Sequence, residues 1–313
     1  MQRGDVRPRS PRSPRSTPPP RTTPGAAGPA LALLLALAAV AAAPSRVAAQ
    51  TAPASSGAAS GWFERVDQTQ AEQPHWITPL LTVTPRLEEE VRYDQQWQTR
   101  PNDATLTNYG VGKGVELIPF ERVEVILGIP AYEVLDTTKG TKRGWADETF
   151  LVKYRAVAAD EDHGNYIFTG FLGVSVPTGD TAFTANHYLY TPTLAAGKGW
   201  GTRTQGVDVQ STLSAAVPAS DEQLLGIPVV WNTALQAHVL DEHFWPEVEV
   251  NYTHFVNGPN DGKNQVVMVF GAVLGRFPIA GRLRLVVGAG YEQTVSSFKT
   301  FDHAWLLSVR TPF

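Results

Sequence analysis

The sequence contains no cysteine. Disulfide bonds, thiolate catalysis and Cys-ligated metal sites are therefore excluded. After residue 49, no apolar run reaches the roughly 20 residues that a transmembrane helix needs, so a helical membrane protein is excluded as well. The remaining way to cross a bilayer is a closed β-barrel, whose backbone polar groups all pair between strands.

Several signatures of chemistry are also absent. No cluster of Lys and Arg argues for phosphate contacts, so no nucleic-acid partner is expected. The seven His are scattered without a metal-ligand spacing, and no phosphate loop occurs, so no metal and no cofactor are predicted. An enzyme is not expected, although His238 lies at a position where it could join a Ser and an acid in a hydrolytic triad.

The N-terminal part has the pattern of a secretory signal. Arg-rich residues precede an apolar run at 29–43, and small residues follow, which predicts a signal at 1–49 with cleavage after Ala49. The segment holds seven Arg and one Asp, so its removal takes the formal charge from −4 to −10. Residues 50–79 are predicted to form an irregular periplasmic leader or a plug, and residues 80–313 the barrel.

From residue 80 onward, apolar and polar residues alternate with period two, and turn residues separate the segments. In the last segment Trp305, Leu307, Val309 and Phe313 share one face, and Arg310 lies on the other. The predicted strands are 80–97, 106–118, 123–133, 147–158, 165–176, 191–200, 205–217, 227–239, 245–255, 264–274, 282–293 and 301–313.

The connections between these segments are alternately tight and long, which is typical of periplasmic turns and extracellular loops. We therefore predict an all-β fold: a closed antiparallel transmembrane β-barrel of about 12 strands in a bacterial outer membrane. A soluble β-sandwich is the rival fold, because its strands alternate too. Sandwich strands are typically 3–10 residues long, and many here are longer, which favours the barrel.

The face opposite the apolar one carries charges of both signs, which a barrel would turn toward its lumen. These predicted path residues are Arg86, Glu90, Arg92, Lys153, Arg155, Glu247, Glu249, Arg282, Arg284 and Arg310. They describe either a salt-bridged, partly filled lumen or a polar constriction that meets a solute. A barrel of 12 strands lies between the filled barrels of 8 strands and the open porins of 16.

Aromatic residues and the last strand carry two further predictions. Tyr188 and Tyr190, before the sixth predicted strand, are candidates for stacking against a substrate, within a set of aromatics that includes interfacial girdles. The C-terminal segment resembles the signal read by the barrel-assembly machinery, through Trp305, Leu307, Val309 and Phe313. The expected partners are thus outer-membrane lipids, that machinery and a small-molecule solute.

Two irregularities interrupt the pattern. Gly128-Ile129-Pro130 breaks the third strand and predicts either a bulge or a kink that opens the wall. Glu89 and Lys113 fall at apolar positions, and a hairpin centred on residue 101 would pair them as ions. A register slip by one residue is the alternative.

Several segments resemble one known family, the outer-membrane proteins labelled "meta-pathway of phenol degradation". They are residues 84–94, 108–119, 173–180, 245–255, 258–263, 275–278 and 281–283. The resemblance covers most of residues 76–313 and implies a barrel that transports hydrophobic or aromatic compounds.

The leading hypothesis is therefore a channel for passive uptake of small, hydrophobic or aromatic compounds. The first alternative is a structural or adhesive barrel without transport, and the second is an outer-membrane hydrolase.

Overall fold

The computed structural model describes residues 58–240 and 243–313. The predicted signal, residues 1–49, and the start of the predicted leader lie outside this part of the chain. Within the described ranges, no helix is long and apolar enough to cross a membrane. The chain forms one β-barrel, with a helix at one mouth and an irregular segment in the interior.

Sixteen strand segments build the barrel wall. They are β1 (Glu90–Arg100), β2 (Ala104–Gly110), β3 (Gly114–Phe120), β4 (Val123–Gly128), β5 (Tyr132–Thr137), β6 (Gly140–Trp145), β7 (Glu148–Ala159), β8 (Tyr166–Val176), β9 (Leu189–Gly201), β10 (Gly206–Ala215), β11 (Val217–Pro218), β12 (Ile227–His238), β13 (Phe244–Val256), β14 (Asn264–Ala280), β15 (Leu283–Thr294) and β16 (His303–Pro312). The helices are α1 (Ala58–Ala71) and α2 (Glu222–Leu225), with a short 3-10 turn at Gly258–Asn260.

These segments occupy twelve positions around the barrel. β2 and β3 are two halves of one interrupted strand, as are β4 with β5 and β6 with β7, while β11 extends the edge that β10 presents to β9. Every neighbouring pair is antiparallel, and β1 pairs with β16 from Glu90 opposite Pro312 to Thr99 opposite His303. The predicted closed antiparallel barrel of 12 strands is confirmed.

Alternation along the strands separates an apolar exterior from a polar interior. On β13, Val248, Val250 and Tyr252 are each 37% exposed, whereas Glu247 and Glu249 between them are 4% and 1% exposed.

Aromatic side chains stand outward in two belts. One belt includes Trp97, Tyr109, Trp145, Trp231 and Trp305, and the belt at the other end includes Phe120, Tyr166, Trp200 and Phe277.

A closed barrel with an apolar outer surface and aromatic belts is the architecture that satisfies backbone polar groups in lipid. The start of β1 and the end of β16 lie at the same end, together with the tight turns after β3 and β14. This end is the periplasmic one, because short turns mark that side. The barrel therefore lies in a bacterial outer membrane.

The wall begins later than the alternation of residues 80–97 predicted. β1 starts at Glu90, and residues 80–89 lie in the interior instead of in the first strand. Two predicted extracellular loops are also shorter, since β1 reaches Arg100 and β5 and β6 form a tight hairpin. Period two in the sequence therefore does not by itself show that a segment joins the sheet.

The predicted interruption at residues 128–130 is present as the gap between β4 and β5. The wall stays closed there, because the backbone N–H of Ile129 donates to the carbonyl of Lys113 at 3.0 Å. A Cβ on Gly128 would lie 2.5 Å from the backbone oxygen of Thr149, so only glycine lets these strands approach. The structure shows a bulged wall rather than an opening.

The predicted ion pair between Glu89 and Lys113 is wrong. The β1–β2 hairpin is centred one residue later than expected, with Asp94 opposite Gly110. Glu89 precedes the wall and accepts a hydrogen bond from Trp62 Nε1 at 2.6 Å. The pairing was thus misplaced by two residues, not by the one residue of the alternative, so the inward and outward faces of this hairpin are unchanged.

Candidate functional site

The interior of the barrel is occupied by residues 72–89, which we call the plug segment. The segment follows α1, enters the lumen from the periplasmic mouth, turns back and joins β1 at the same end. Its residues contact inward side chains around the circumference, from Lys153 on β7 and Thr169 on β8 to Gln210 on β10. Within residues 72–88, the plug segment does not pair with any wall strand as a β-ladder.

Two carboxylates of β13 hold the far end of the plug segment. Glu249 accepts hydrogen bonds from the backbone N–H groups of Leu81 at 2.7 Å and Thr82 at 2.6 Å. Glu247 accepts one from the N–H of Leu80 at 2.9 Å. Such charge-assisted bonds satisfy backbone donors that have no strand partner in this irregular segment.

Cationic side chains of the wall hold the plug carbonyls in the same way. Arg310 donates to the carbonyls of Thr78 and Pro79, and Arg92 donates to that of Leu80 at 2.7 Å. Lys153 donates to the carbonyl of Arg86 at 3.2 Å. Carboxylates of the wall therefore bind N–H groups of the plug backbone, and cationic side chains of the wall bind its carbonyl groups.

Several of these charges are also paired within the lumen. Lys153 forms an ion pair of 2.9 Å with Glu124 on neighbouring β4, and Arg92 forms one of 2.8 Å with Asp94 on its own strand. Arg86 of the plug segment pairs with Glu88 at 2.6 Å. Buried charges need such partners, because an isolated ion in a low-dielectric interior is strongly destabilising.

An apolar socket faces the charged side of the lumen. Its members on the wall and plug are Trp76, Ile77, Leu80, Ile167, Trp245, Val273, Val286 and Leu306. Leu80 sits against three inward glycines, because a Cβ on Gly271, Gly288 or Gly290 would lie 2.4–2.8 Å from its methyl groups. These wall glycines provide the space that the plug fills.

The plug is anchored outside the membrane by a contact of His75. The ring and the backbone N–H of His75 both donate to the carboxyl of Glu161, in the turn between β7 and β8, at 2.8 and 2.7 Å. Burial by itself raises the pKa of Glu161, but the hydrogen bonds from His75 lower it to about 2. The carboxylate is therefore held in its ionised form.

The helix α1 covers the periplasmic mouth. Its Thr69 donates to the carbonyl of Glu121 in the turn after β3. Arg282, in the turn after β14, forms an ion pair of 2.5 Å with Asp67, and its hydrogen bonds lower the pKa of Asp67. Val66 packs against Leu87 and other buried residues, so helix and plug form one unit.

Seven predicted path residues lie on wall strands and face the lumen, each less than 5% exposed. They are Glu90, Arg92, Lys153, Arg155, Glu247, Glu249 and Arg310. Arg86 is buried in the lumen, but on the plug segment and not on a strand. Arg282 and Arg284 lie at the periplasmic rim beside the turn at Gly281, because β15 begins at Leu283.

The aromatic candidates for substrate stacking lie outside the lumen. Tyr188 and Tyr190 are 47% and 40% exposed, and Tyr190 alternates with the inward Thr191 on β9. Trp305, Leu307 and Val309 share the outward face of β16, and the N–H of Phe313 donates to the carbonyl of Glu89. Their role as an assembly signal stays a prediction.

Sequence reasoning missed Gln210, which holds the plug. Gln210 is fully buried and bonds to two parts of the plug segment, accepting from Thr84 Oγ1 at 2.7 Å and donating to the carbonyl of Ile77 at 3.0 Å. Its inward position on β10 was the only sign of this role in the sequence. His238, the candidate for a hydrolytic triad, donates to the carbonyl of Thr202 and packs on Trp245 at 4.5 Å.

Comparison with known proteins gives similarities of fold. No protein-family model matches the sequence, and no curated protein matches it. Among solved structures, the NanC porin is 13% identical, with a TM-score of 0.44, over 71% of this chain and 98% of its own. An outer-membrane channel from Pseudomonas putida F1 is 14% identical, with a TM-score of 0.49, over 72% of this chain and 96% of its own. OmpF from Salmonella typhi is 7% identical, with a TM-score of 0.31, over 72% of this chain and 96% of its own.

Proposed function

We propose that this barrel is an outer-membrane channel for passive uptake of small solutes, and that the plug segment closes it in the conformation described above. The observation that carries the proposal is the independence of wall and plug. The wall closes on itself through β1 and β16, and residues 72–88 contribute no ladder to it. Withdrawal of the plug therefore opens a path without breaking any strand pairing.

The lumen that withdrawal exposes suits a particular class of solute. One side carries the charges of β1, β4 and β7. On the other side, Val273, Val286 and Leu306 of β14–β16 form an apolar surface next to the inward charges of β13 and β16. Trp76, Ile77 and Leu80 of the plug already occupy that surface. A small hydrophobic or aromatic molecule with one polar group has the same character as these side chains, and we propose that class as substrate.

The absence of cysteine permits a sharp test. An ideal Cβ at position 288 lies 2.5 Å from Leu80 Cδ2 and no closer than 3.5 Å to backbone, so the double variant Leu80→Cys/Gly288→Cys brings two thiols together across the plug and the wall. We expect single-channel conductance of this variant in planar bilayers to disappear on oxidation and to return on reduction. The reduced double variant and the single variant Leu80→Cys are the controls.

Two results of these measurements would contradict the proposal. If the oxidised variant conducts as well as the reduced one, the plug segment is not the gate. If neither the variant nor the native protein conducts, and liposomes containing it do not take up phenol, the channel proposal fails. The structural or adhesive alternative would then be preferred.

We also propose that the barrel is not an enzyme. The hydrolase alternative depends on His238, whose Nε2 donates to a backbone carbonyl and whose ring packs on Trp245. An ester-hydrolysis assay on the purified barrel tests this point. Activity that is present in the native protein and lost in His238→Gln would overturn the proposal.

A further inference from the structure

A cavity of about 250 Å³ lies at the periplasmic mouth, between α1, the plug segment and β14–β16. Its lining combines the plug residues Ile77 and Thr78 with Val286 of β15 and the end of β16. Sites for drug-sized ligands are typically larger, at about 300–1,000 Å³. The volume therefore fits a small solute.

The lining is dominated by arginine. Six arginines line the cavity: Arg86, Arg203, Arg276, Arg282, Arg284 and Arg310. The carboxylates at the same surface are Asp67, Glu88 and Glu90, and the first two are already paired with Arg282 and Arg86. Arginine is therefore the most frequent charged residue in the lining.

Two of these arginines direct their hydrogen bonds at neutral oxygens. Arg310 is 1% exposed and donates to the hydroxyl of Ser308 and to the carbonyls of Thr78 and Pro79. Arg284 donates to the carbonyls of Gly281 and Leu283. Among the described residues, neither forms an ion pair with a carboxylate.

Arg86 contributes its charge to the same lining. Its side chain is 3% exposed, and Nη1 donates to the carbonyl of Trp76 and to Glu88. Its Nε has no hydrogen-bond partner within the described part of the chain, but this atom is buried and does not face the cavity.

We propose that this arginine cavity binds the oxyanion group of a small solute, either a carboxylate or a phosphate. Guanidinium groups match such oxyanions through paired N–H donors, and they bind them more strongly where water is excluded. A bound oxyanion compensates the charges of Arg310 and Arg284. The binding site lies at the rim of the closed channel and does not require the barrel to conduct.

Isothermal titration calorimetry on the detergent-solubilised full barrel tests the proposal. Sodium benzoate and inorganic phosphate are the probes for the two oxyanion sources, and benzyl alcohol is the uncharged match for benzoate. We expect saturable binding of benzoate, phosphate or both, weakened by salt, and no binding of benzyl alcohol. The probe that binds identifies the oxyanion.

Two arginine variants separate the cavity from general surface charge. Arg284→Gln removes a cavity charge that bonds only to turn carbonyls, and we expect binding about tenfold weaker. Arg143→Gln is the matched control, because Arg143 is exposed on β6 at the opposite end. The heat-induced gel shift of both variants reports that the barrel is folded.

The proposal is overturned if neither oxyanion binds saturably to the folded native barrel. It is also overturned if Arg284→Gln binds like the native protein, or if Arg143→Gln weakens binding as much. Conductance is measured separately in planar bilayers. Binding without conductance would contradict the channel proposal alone, and conductance without binding would contradict the oxyanion site alone.

Discussion

At the scale of single residues, docking of the plug depends on a carboxylate that serves two backbone donors. Glu249 is 1% exposed and accepts from the N–H groups of both Leu81 and Thr82. Hydrogen bonds to charged groups contribute about 1.5–3 kcal/mol each. An amide at this position keeps one acceptor oxygen and turns an NH₂ toward the other N–H.

We therefore expect Glu249→Gln to weaken docking by about 1.5–3 kcal/mol, which raises the open fraction of the channel at least about tenfold. Single-channel recording of the open fraction is the measurement. Glu133→Gln is the matched control, because Glu133 bonds to Asn108 and not to the plug. An equal effect of both variants would show that the charge of the lumen in general, and not the hydrogen bonds of Glu249 to the plug, sets the open fraction.

Individual inward positions could be predicted from the sequence where the strand was placed correctly. Alternation on β13 identified Glu247 and Glu249, and alternation on β16 identified Arg310. Arg282 was misplaced because strand β15 begins one residue after it. The plug groups that these side chains bind could not be predicted, because they lie 167–168 residues from Glu247 and Glu249 in sequence and 231–232 residues from Arg310.

At the scale of elements, the contact between His75 of the plug segment and Glu161 of the β7–β8 turn is sensitive to pH. The pKa of Glu161 is lowered to about 2 when its carboxylate accepts from His75, against an ordinary value of 4.5. A carboxyl whose pKa is lowered stabilises the docked state at pH above 4.5, and this contribution is lost as the pH falls toward 2. Acidification should therefore loosen the plug.

We expect the open fraction of the native channel to rise as the pH is lowered from 4.5 toward 2. Glu161→Gln should be less well docked at neutral pH and should respond less over that range, where the pair of Asp67 with Arg282 is the remaining acid-sensitive contact. Single-channel recording across a pH series compares the two proteins. Parallel pH curves for native and variant channels would exclude Glu161 as the origin of the response.

The strands themselves were largely predictable, whereas the plug was not. Twelve predicted segments correspond to the twelve wall positions, because each buries one face against the lumen and exposes the other to lipid. Residues 80–89 were assigned to the wall because their alternation continues that of β1. A segment surrounded by the wall on all sides can alternate too, and local pattern does not distinguish the two cases.

At the scale of the whole molecule, two separate sets of contacts stabilise the wall and the plug. The wall is a continuous hydrogen-bonded ladder that closes through ten residue pairs between β1 and β16. The plug is held by side-chain contacts to backbone groups and by the apolar socket around Trp76 and Leu80. Loss of the plug contacts therefore leaves the ladder complete.

Trp76 gives a test of this division, because it is fully buried on the plug and its ring meets Gly197 and Gly199 of β9. Truncation of a buried Trp to Ala costs about 3–5 kcal/mol. We expect Trp76→Ala to make residues 72–89 sensitive to protease while the temperature of the gel-shift transition changes little. Trp200→Ala, on the outward face of the same strand β9, should leave the protease sensitivity of the plug unchanged.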